Sequence, residues 1–238
     1  MRIDIWSDVV CPWCSIGKRR LEQALAAFPH RDEVEVVYHS FQLDPDAPAE
    51  PVRTARENLS RKYGLALEDA AAKQEAVIAV AAEEGMDWSR HADSPHVGTA
   101  DAHRLLHLAL AEGGPAQQSR LKDALLHAYF GEAANVADHT VLREVALGAG
   151  LDAGRVDEVL AGEEYGDAVI ADVAQARAYG ANGVPFFVVD EKYGVSGAQP
   201  AELFARLLDQ AWAESHRVLQ AVPGAAGAEA CGPDGCAV

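Results

Sequence analysis

Hydrophobic and polar residues alternate at the start of the chain, over residues 2–9, and again over residues 34–41. A repeat of two residues that is rich in branched side chains predicts a β-strand in each segment. Between them, an approximate apolar stripe from Ile16 to Phe28 predicts a helix that ends at Pro29. Strand, helix and strand in this order form a βαβ unit, in which the two strands are expected to lie parallel.

A long helical block follows this unit. Pro45, Pro48 and Pro51 interrupt the chain after the second strand, and such a cluster is typical of a break between structural layers. Over residues 54–164 the chain is rich in Ala, Leu, Glu and Arg, which favour helices. The predicted helices cover residues 54–63, 67–84, 99–112, 116–131, 139–149 and 152–161.

The β pattern returns near the end of the chain. A helix over residues 165–179 precedes a strand over residues 184–189, and a turn then leads to a short strand at residues 193–195, which predicts a hairpin. A last amphipathic helix is predicted over residues 200–217. Each β-containing segment alone would leave an unpaired edge and half a core, so we expect both to combine into one sheet.

These patterns predict an α/β fold that is interrupted by an all-helical insertion. We assign residues 1–43 and 165–220 to the sheet-containing domain, residues 44–164 to the insertion, and residues 221–238 to a flexible tail. The tail begins with a linker rich in Gly and Ala, a composition typical of a flexible chain.

Composition narrows the possible partners and the compartment. Hydrophobic residues make up 49% of the 238 residues, which is enough for a buried core. A net charge of −17 argues against binding to nucleic acid or to anionic lipid, because both need a basic surface. The first residues enter a strand pattern without the apolar region of a signal peptide, and no segment is apolar enough to span a bilayer. We therefore expect a cytoplasmic protein.

Two of the four cysteines, Cys11 and Cys14, lie where the first strand gives way to the first helix. A helix N-terminus presents free N–H groups and a partial positive charge, and both stabilise a thiolate on Cys11. Cys14, within the same helical turn, can resolve a mixed disulfide, while Pro12 and Trp13 stiffen the turn and offer a surface to a substrate. The arrangement predicts thiol–disulfide exchange. A pair of inert buried cysteines, or half of a four-cysteine zinc site, would share the spacing.

A second part of the substrate site is expected at Val184 and Pro185, which begin the strand predicted to pair beside the first strand. A cis bond at this position would leave a backbone edge free to pair with an extended substrate. An ordinary trans proline at the start of a strand is the alternative.

Two further polar residues are auxiliary candidates. Asp8 precedes Cys11 by three residues and could accept the proton of Cys14, oppose the Cys11 thiolate, or be a solvated residue at the end of a strand. His103 and His107 are one helical turn apart, but the sequence shows no third ligand beside them, and we predict no metal site and no cofactor. His103 is expected to line a cleft or to support the helical insertion.

Together these motifs resemble the FrnE-type branch of the DsbA family of thiol–disulfide oxidoreductases. The resemblance rests on Asp8-Val-Val-Cys-Pro-Trp-Cys14, Phe41-Gln-Leu-Asp-Pro45, Ala102-His-Arg-Leu105, Gly183-Val-Pro-Phe-Phe187 and Gly197-Ala-Gln-Pro200, which span nearly the whole chain. It implies a thioredoxin-like fold with a helical insertion above the active-site cleft, dithiol–disulfide exchange at Cys11 and Cys14, and a cis bond before Pro185. The chain has Gly98-Thr99 where this branch is expected to have Asn-Thr, so a contact made by that asparagine does not carry over.

The other two cysteines, Cys231 and Cys236, lie in the Gly- and Pro-containing end of the tail. Members of the resembled branch can carry a similar terminal pair. One hypothesis is a second dithiol that exchanges with Cys11 and Cys14, since the linker has a typical reach of ~20 Å. A zinc site formed by all four cysteines, and a tail pair without a role, are the alternatives.

The sequence therefore predicts a cytoplasmic thiol–disulfide oxidoreductase or isomerase whose partners are disulfide- or thiol-containing proteins or small molecules. An alternative from another reaction class is a glutathione-dependent isomerase or transferase that acts on small aromatic or polyketide-type molecules. Such enzymes share the architecture but typically place Ser at the position of Cys11 and lack a cysteine at the position of Cys14. A further alternative is a zinc-stabilised interaction module.

Overall fold

A four-stranded mixed sheet forms the centre of the molecule. The computed structural model describes residues 1–216, in which the strands follow the order β2-β1-β3-β4 across the sheet. They are β1 (Arg2–Ser7), β2 (Glu35–Ser40), β3 (Phe186–Val189) and β4 (Tyr193–Ser196). β1 pairs parallel with β2 and antiparallel with β3, and β3 pairs antiparallel with β4. The predicted βαβ unit and hairpin are both present, and they combine into one sheet as expected.

Helices occupy the regions where the sequence predicts them. They are α1 (Pro12–Ala27), α2 (Ala55–Tyr63), α3 (Leu67–Glu83), α4 (Ala100–Phe130), α5 (His139–Gly148), α6 (Ala153–Ala161), α7 (Gly166–Ala178) and α8 (Ala201–Ser215). The two helices predicted over residues 99–131 meet at a kink inside α4, where Gly114 has φ 69° and ψ −172° and Pro115 follows. Glycine tolerates this positive φ, so the helix axis changes direction without a connecting loop.

Different helices cover the two faces of the sheet. α1 and α8 pack together on one face, where their shared core includes Ile3, Ile5, Leu21, Phe187, Phe204 and Leu208. α7 packs on the other face, against a smaller core of Trp6, Ala176, Phe186 and Val188. Successive side chains of a strand point to opposite faces, which is why Ile5 and Trp6 belong to different cores.

Helix α4 lies along the free edge of β2. The Gln118 side chain is fully buried there: its oxygen accepts the backbone N–H of Tyr38 at 2.8 Å, and its amide donates to the Tyr38 carbonyl at 2.7 Å. One side chain thus satisfies both backbone groups that an open edge would expose. The second half of α4 is thereby held directly beside the sheet and α1.

The segment that contains helices α2 to α6 contributes no strand to the sheet in the described part of the chain. α3 to α6 share their own core, and this core extends to Val9 and Ile16 at the end of β1 and the start of α1. The domain boundaries at residues 43/44 and 164/165 stay a prediction. Residues 221–238, with Cys231 and Cys236, lie outside the described residues. Over residues 1–216, none of the helices has both the length and the apolar character that crossing a bilayer requires.

Candidate active site

Cys11 is the residue at which α1 begins. Its backbone is extended, with φ −89° and ψ 115°, and its carbonyl oxygen accepts the N–H groups of Cys14 at 3.1 Å and Ser15 at 3.3 Å. Pro12 follows as the first helical residue, a position where the missing N–H of proline costs no hydrogen bond. Cys11 therefore lies at the positive end of the helix dipole, with Cys14 in the same first turn.

The sulfur of Cys11 faces the second predicted part of the site. Its Sγ lies 3.7 Å from the carbonyl oxygen of Val184, and the Val184–Pro185 peptide bond is cis, as the resemblance implies. Gly17 permits the close packing of α1 here, because a Cβ at this position would lie 3.0 Å from Cγ of Pro185. The fold thus brings together two motifs that are separated by 173 residues in the chain.

A cleft of about 810 Å³ opens beside Cys11. One side is formed by the turn that carries the two cysteines, together with Val184 from a distant part of the chain. Residues of α2 and α3 form the opposite side. The lining includes five of the predicted site residues, Asp8, Cys11, Pro12, Trp13 and Val184. Trp13 is 42% exposed, whereas Cys11 is 4% and Cys14 2% exposed. A substrate in the cleft therefore meets Trp13 and the Cys11 sulfur first, and Cys14 lies behind them.

Asp8 is buried at the inner end of the cleft rather than solvated. Its Oδ1 accepts the N–H of Val9 at 2.7 Å and its Oδ2 accepts the N–H of Leu43 at 2.8 Å. Nε2 of His103 lies 3.3 Å from Oδ1. Burial alone would raise the pKa of Asp8, but the contact with His103 and the Leu43 N–H outweigh it and lower this pKa. Asp8 is thus held as a carboxylate whose oxygens already have donors.

His103 lies behind Asp8 and is 1% exposed. Burial is the largest influence on it and lowers its pKa, so the imidazole is neutral at pH 7. Because a carboxylate only accepts hydrogen bonds, the proton of this ring is on Nε2. His107, one turn further along α4, points elsewhere and contacts Asp172 at 2.9 Å. The two histidines do not converge, and no cluster of metal-binding side chains occurs within residues 1–216.

Cys14 has its own buried surroundings. Burial raises its pKa, and the hydrogen bond with the Cys11 side chain raises it further, whereas Lys122 and the backbone N–H of Asp8 lower it. Lys122 comes from the second half of α4, is 1% exposed, and was not singled out by the sequence analysis. The available signal was its position between Leu121 and Leu125, on a helix face that is otherwise buried.

Two other residues of the helical block, Arg104 and Gly98, lie within or beside the motifs that carry the resemblance. Arg104 is buried and braces this block, since its guanidinium donates to the carbonyl oxygens of Gly162 and Glu164, each at 2.7 Å. At Gly98, where the resemblance leads us to expect Asn, a Cβ would lie 2.9 Å from the carbonyl oxygen of Ala47. A larger side chain therefore has no room at Gly98 unless the 44–48 loop moves away.

Comparison with solved structures places the fold among thiol–disulfide enzymes. A probable DsbA oxidoreductase from Streptomyces coelicolor is 50% identical in sequence, and the match covers 100% of this chain and 99% of the other, with a TM-score of 0.84. The cytosolic disulfide reductase DsbM from Pseudomonas aeruginosa, solved with GSH, is 17% identical with a TM-score of 0.62, and the match covers 88% and 98% of the two chains. A 2-hydroxychromene-2-carboxylate isomerase is 12% identical with a TM-score of 0.64 over 90% and 98%. The last two show a shared fold only.

The sequence of residues 2–209, nearly the whole described chain, matches the family model of the DSBA-like thioredoxin domain. This extent agrees with the sheet order, with the cysteine pair at the start of α1, and with the proline that faces it from the start of β3. The chain belongs to the family of DSBA-like thioredoxin domains, a family of thiol–disulfide oxidoreductases.

Proposed function

We propose that this protein catalyses dithiol–disulfide exchange through Cys11 and Cys14. The observation that carries the proposal is the position of the Cys11 sulfur, which lies at the N-terminus of α1, lines the cleft, and is 3.7 Å from the Val184 carbonyl. A thiolate is the reactive form of cysteine, and a helix N-terminus favours it. Cys14 is in hydrogen-bonding contact with Cys11 and is shielded from solvent, which suits a resolving thiol.

In the reductive direction, the Cys11 thiolate attacks one sulfur of a substrate disulfide. A bond forms between Cys11 and that sulfur, the substrate S–S bond breaks, and the other substrate sulfur leaves as a thiolate that takes up a proton. Cys14 then loses its proton and attacks the Cys11 sulfur, which forms the Cys11–Cys14 disulfide and releases the second substrate thiolate. The protein loses two electrons and the substrate gains them. Oxidation of a substrate dithiol and isomerisation of a substrate disulfide use the same steps in other orders.

The cleft supports a substrate that is small or extended. Its volume of about 810 Å³ lies within the range of small-molecule sites. Trp13, Leu43 and Tyr63 are exposed apolar residues, and all three line it. A small disulfide, or a peptide segment of a protein, therefore fits better than a flat protein surface. We propose the cytoplasm as the compartment, where the dithiol is kept reduced; a cytosolic disulfide reductase has the same fold.

The alternative reaction class has less support. The isomerase with a similar fold is 12% identical and shows the fold alone. A resolving thiol behind Cys11 serves dithiol–disulfide exchange and has no use in the isomerisation of a small aromatic molecule. Zinc binding by all four cysteines would involve the tail, which lies outside the described residues. Metal analysis of the purified full-length chain tests that reading directly.

Covalent trapping tests the proposed function. A Cys14→Ser variant, expressed in cells, is expected to accumulate mixed disulfides at Cys11, because the resolving attack is removed. A Cys11→Ser variant is the matched control and should trap nothing at this site. Mass spectrometry of the trapped adducts identifies the partners as proteins or small thiols, together with their compartment. If the Cys14→Ser variant carries no adduct, and purified wild type does not reduce a model disulfide, the proposed function is wrong.

A further inference from the structure

Lys122 is a buried lysine for which the proposed exchange reaction has so far no role. It lies on α4, one turn after Gln118, and its Nζ lies over the ring of Tyr38 on β2. Its side chain is 1% exposed, and its Nζ has no hydrogen-bond partner among residues 1–216. A buried ammonium without a compensating group is costly, so such a lysine calls for an explanation.

A second buried lysine, Lys18, lies beside the same tyrosine ring, and its charge is compensated by carboxylates. Nζ of Lys18 lies 6.0 Å from the centre of the Tyr38 ring, and Nζ of Lys122 lies 5.9 Å from the same ring. Lys18 forms ion pairs with the carboxylates of Glu22 and Asp123. No carboxylate within the described chain pairs with Lys122 in this way.

Apart from Lys18, the groups whose charges act on Lys122 belong to the active site. Cys14 has the largest effect, followed by Asp8 and Cys11. Asp8 already accepts hydrogen bonds from two backbone N–H groups and contacts His103. Its carboxylate is therefore stabilised without Lys122. Once Cys11 is bound in the mixed disulfide it carries no charge, so the charge that changes during resolution is that on Cys14, which must pass from thiol to thiolate before it can attack Cys11.

We propose that Lys122 is the positioning residue that stabilises the Cys14 thiolate during resolution of the mixed disulfide, a role that rests on the proposed exchange reaction. Burial opposes ionisation of both groups: it raises the pKa of Cys14 and lowers that of Lys122, and each charge partly reverses the effect on the other. An ammonium at this depth acts at low dielectric and is little screened by salt. The titratable or charged groups that face this pair from the surrounding elements are Asp8, Cys11, Lys18, Tyr38 and His103, and Tyr129 lies near Asp8.

The two halves of the exchange can be observed separately with 5,5′-dithiobis(2-nitrobenzoate). Attack by Cys11 releases one equivalent of coloured thiolate, and the later attack by Cys14 on the mixed disulfide releases a second. The background is the full-length chain with Cys231→Ser and Cys236→Ser, so that the tail thiols do not contribute. Stopped-flow absorbance from pH 5 to pH 10 gives the pH dependence of each phase.

In the Lys122→Met variant, the inflection of the second phase is expected to move up by about one pH unit, which slows that phase about tenfold below the inflection. The first phase should change by less than about threefold, because Lys122 interacts less with Cys11 than with Cys14. Lys18→Met is the matched control, since it removes a lysine that is also buried and lies beside the same ring, and it should leave the inflection in place.

Lys122→Arg separates charge from shape. It keeps the cation and is expected to restore a profile closer to that of wild type than the methionine variant gives. The inference is overturned if Lys122→Met leaves the inflection of the second phase unchanged, or if Lys122→Arg and Lys18→Met shift it as far as Lys122→Met does. If no variant releases a second equivalent and wild type does not either, the proposed function itself fails, which is a distinguishable result.

Discussion

The charged groups on the two sides of the cleft differ in how deeply they are buried. Asp8 lines the cleft, and together with Cys14, His103 and Lys122, which do not line it, it forms a buried cluster that we call the floor, in which each residue is at most 2% exposed. On the opposite side, the outer wall formed by α2 and α3 carries Arg56, Lys62 and Lys73, and the latter two are exposed. The comparison shows that burial, more than the number of charges, determines how strongly a charged group interacts with its neighbours at this site.

Charges in the floor interact strongly, because the surrounding dielectric is low and salt does not reach them. They therefore affect stability and the ionisation of Cys14. Charges on the outer wall are hydrated and screened, and they act on the approach of charged substrates. A cationic wall in a chain of net charge −17 is a local reversal of sign. The predictions below test this division, from the largest expected effect to the smallest.

The largest effect is expected from removal of the Asp8 carboxylate. Asp8→Ala leaves the N–H groups of Val9 and Leu43 without their acceptor and should lower the free energy of unfolding by about 3–5 kcal/mol at pH 7. Asp8→Asn keeps one acceptor oxygen and should cost less than Asp8→Ala. Urea denaturation measures both. Equal, small losses in the two variants would contradict the view that the floor is a tightly coupled buried site.

The pH dependence of the same variants gives the sign of the effect. The pKa of Asp8 is lowered in the folded protein, so its charge stabilises the fold above the unfolded value of about 4 and this contribution is lost as the pH falls. The difference in stability between wild type and Asp8→Asn should therefore shrink from pH 7 toward pH 3. A difference that stays constant over this range would mean that Asp8 does not act through its charge.

A buried network away from the cleft provides a comparison for the floor. Oδ1 of Asp172 lies 2.8 Å from Nδ1 of His39, whose Nε2 lies 2.7 Å from Asp4, and Oδ2 of Asp172 accepts the N–H of Ser40 at 2.7 Å. Burial would lower the pKa of His39, but the two carboxylates raise it to about 9. The imidazolium therefore stabilises the fold below pH ~6.5, and this contribution is lost as the pH rises toward 9.

Asp172→Asn should lower the free energy of unfolding by roughly 2 kcal/mol at pH 6, and by less at pH 9.5, where most of the His39 side chains in wild type are neutral. Because the network lies outside the cleft, the rate at which Cys11 reacts with a model disulfide should stay within about twofold of wild type. Urea denaturation at the two pH values and the kinetic assay test both parts. A large loss of rate would show that buried charge outside the floor also controls the thiols.

The smallest effect is expected from the outer wall. Replacing both Lys62 and Lys73 by Glu should lower the ratio of the Cys11 rate constants for an anionic and a cationic disulfide by about three- to tenfold at low salt. The effect should disappear at high salt, because these charges are hydrated. The control is Arg143→Glu with Lys192→Glu, which changes the net charge equally but away from the cleft. An equal change in the control would show that the outer wall has no local role.

Local sequence patterns were sufficient for much of the fold and for the position of the cysteine pair at the start of a helix. Alternation and helical spacing predicted the strands and helices, because these signals involve residues within one or two turns of each other. The position of Cys11 at the start of α1 followed from the strand, the cysteine pair and Pro12. The expectation that Val184 and Pro185 face this pair needed the sheet order and the family resemblance as well.

Tertiary structure decided which polar residues belong to the site. Asp8 could have been solvated, and its burial depends on Leu43 and on His103, a partner 95 residues away in the chain. His103 and His107 share a helix face in the sequence, yet they contact different carboxylates. Lys122 was recognisable only as an unusual residue on a buried face. Burial of a polar group depends on partners that are distant in sequence, and a local pattern contains no information about them.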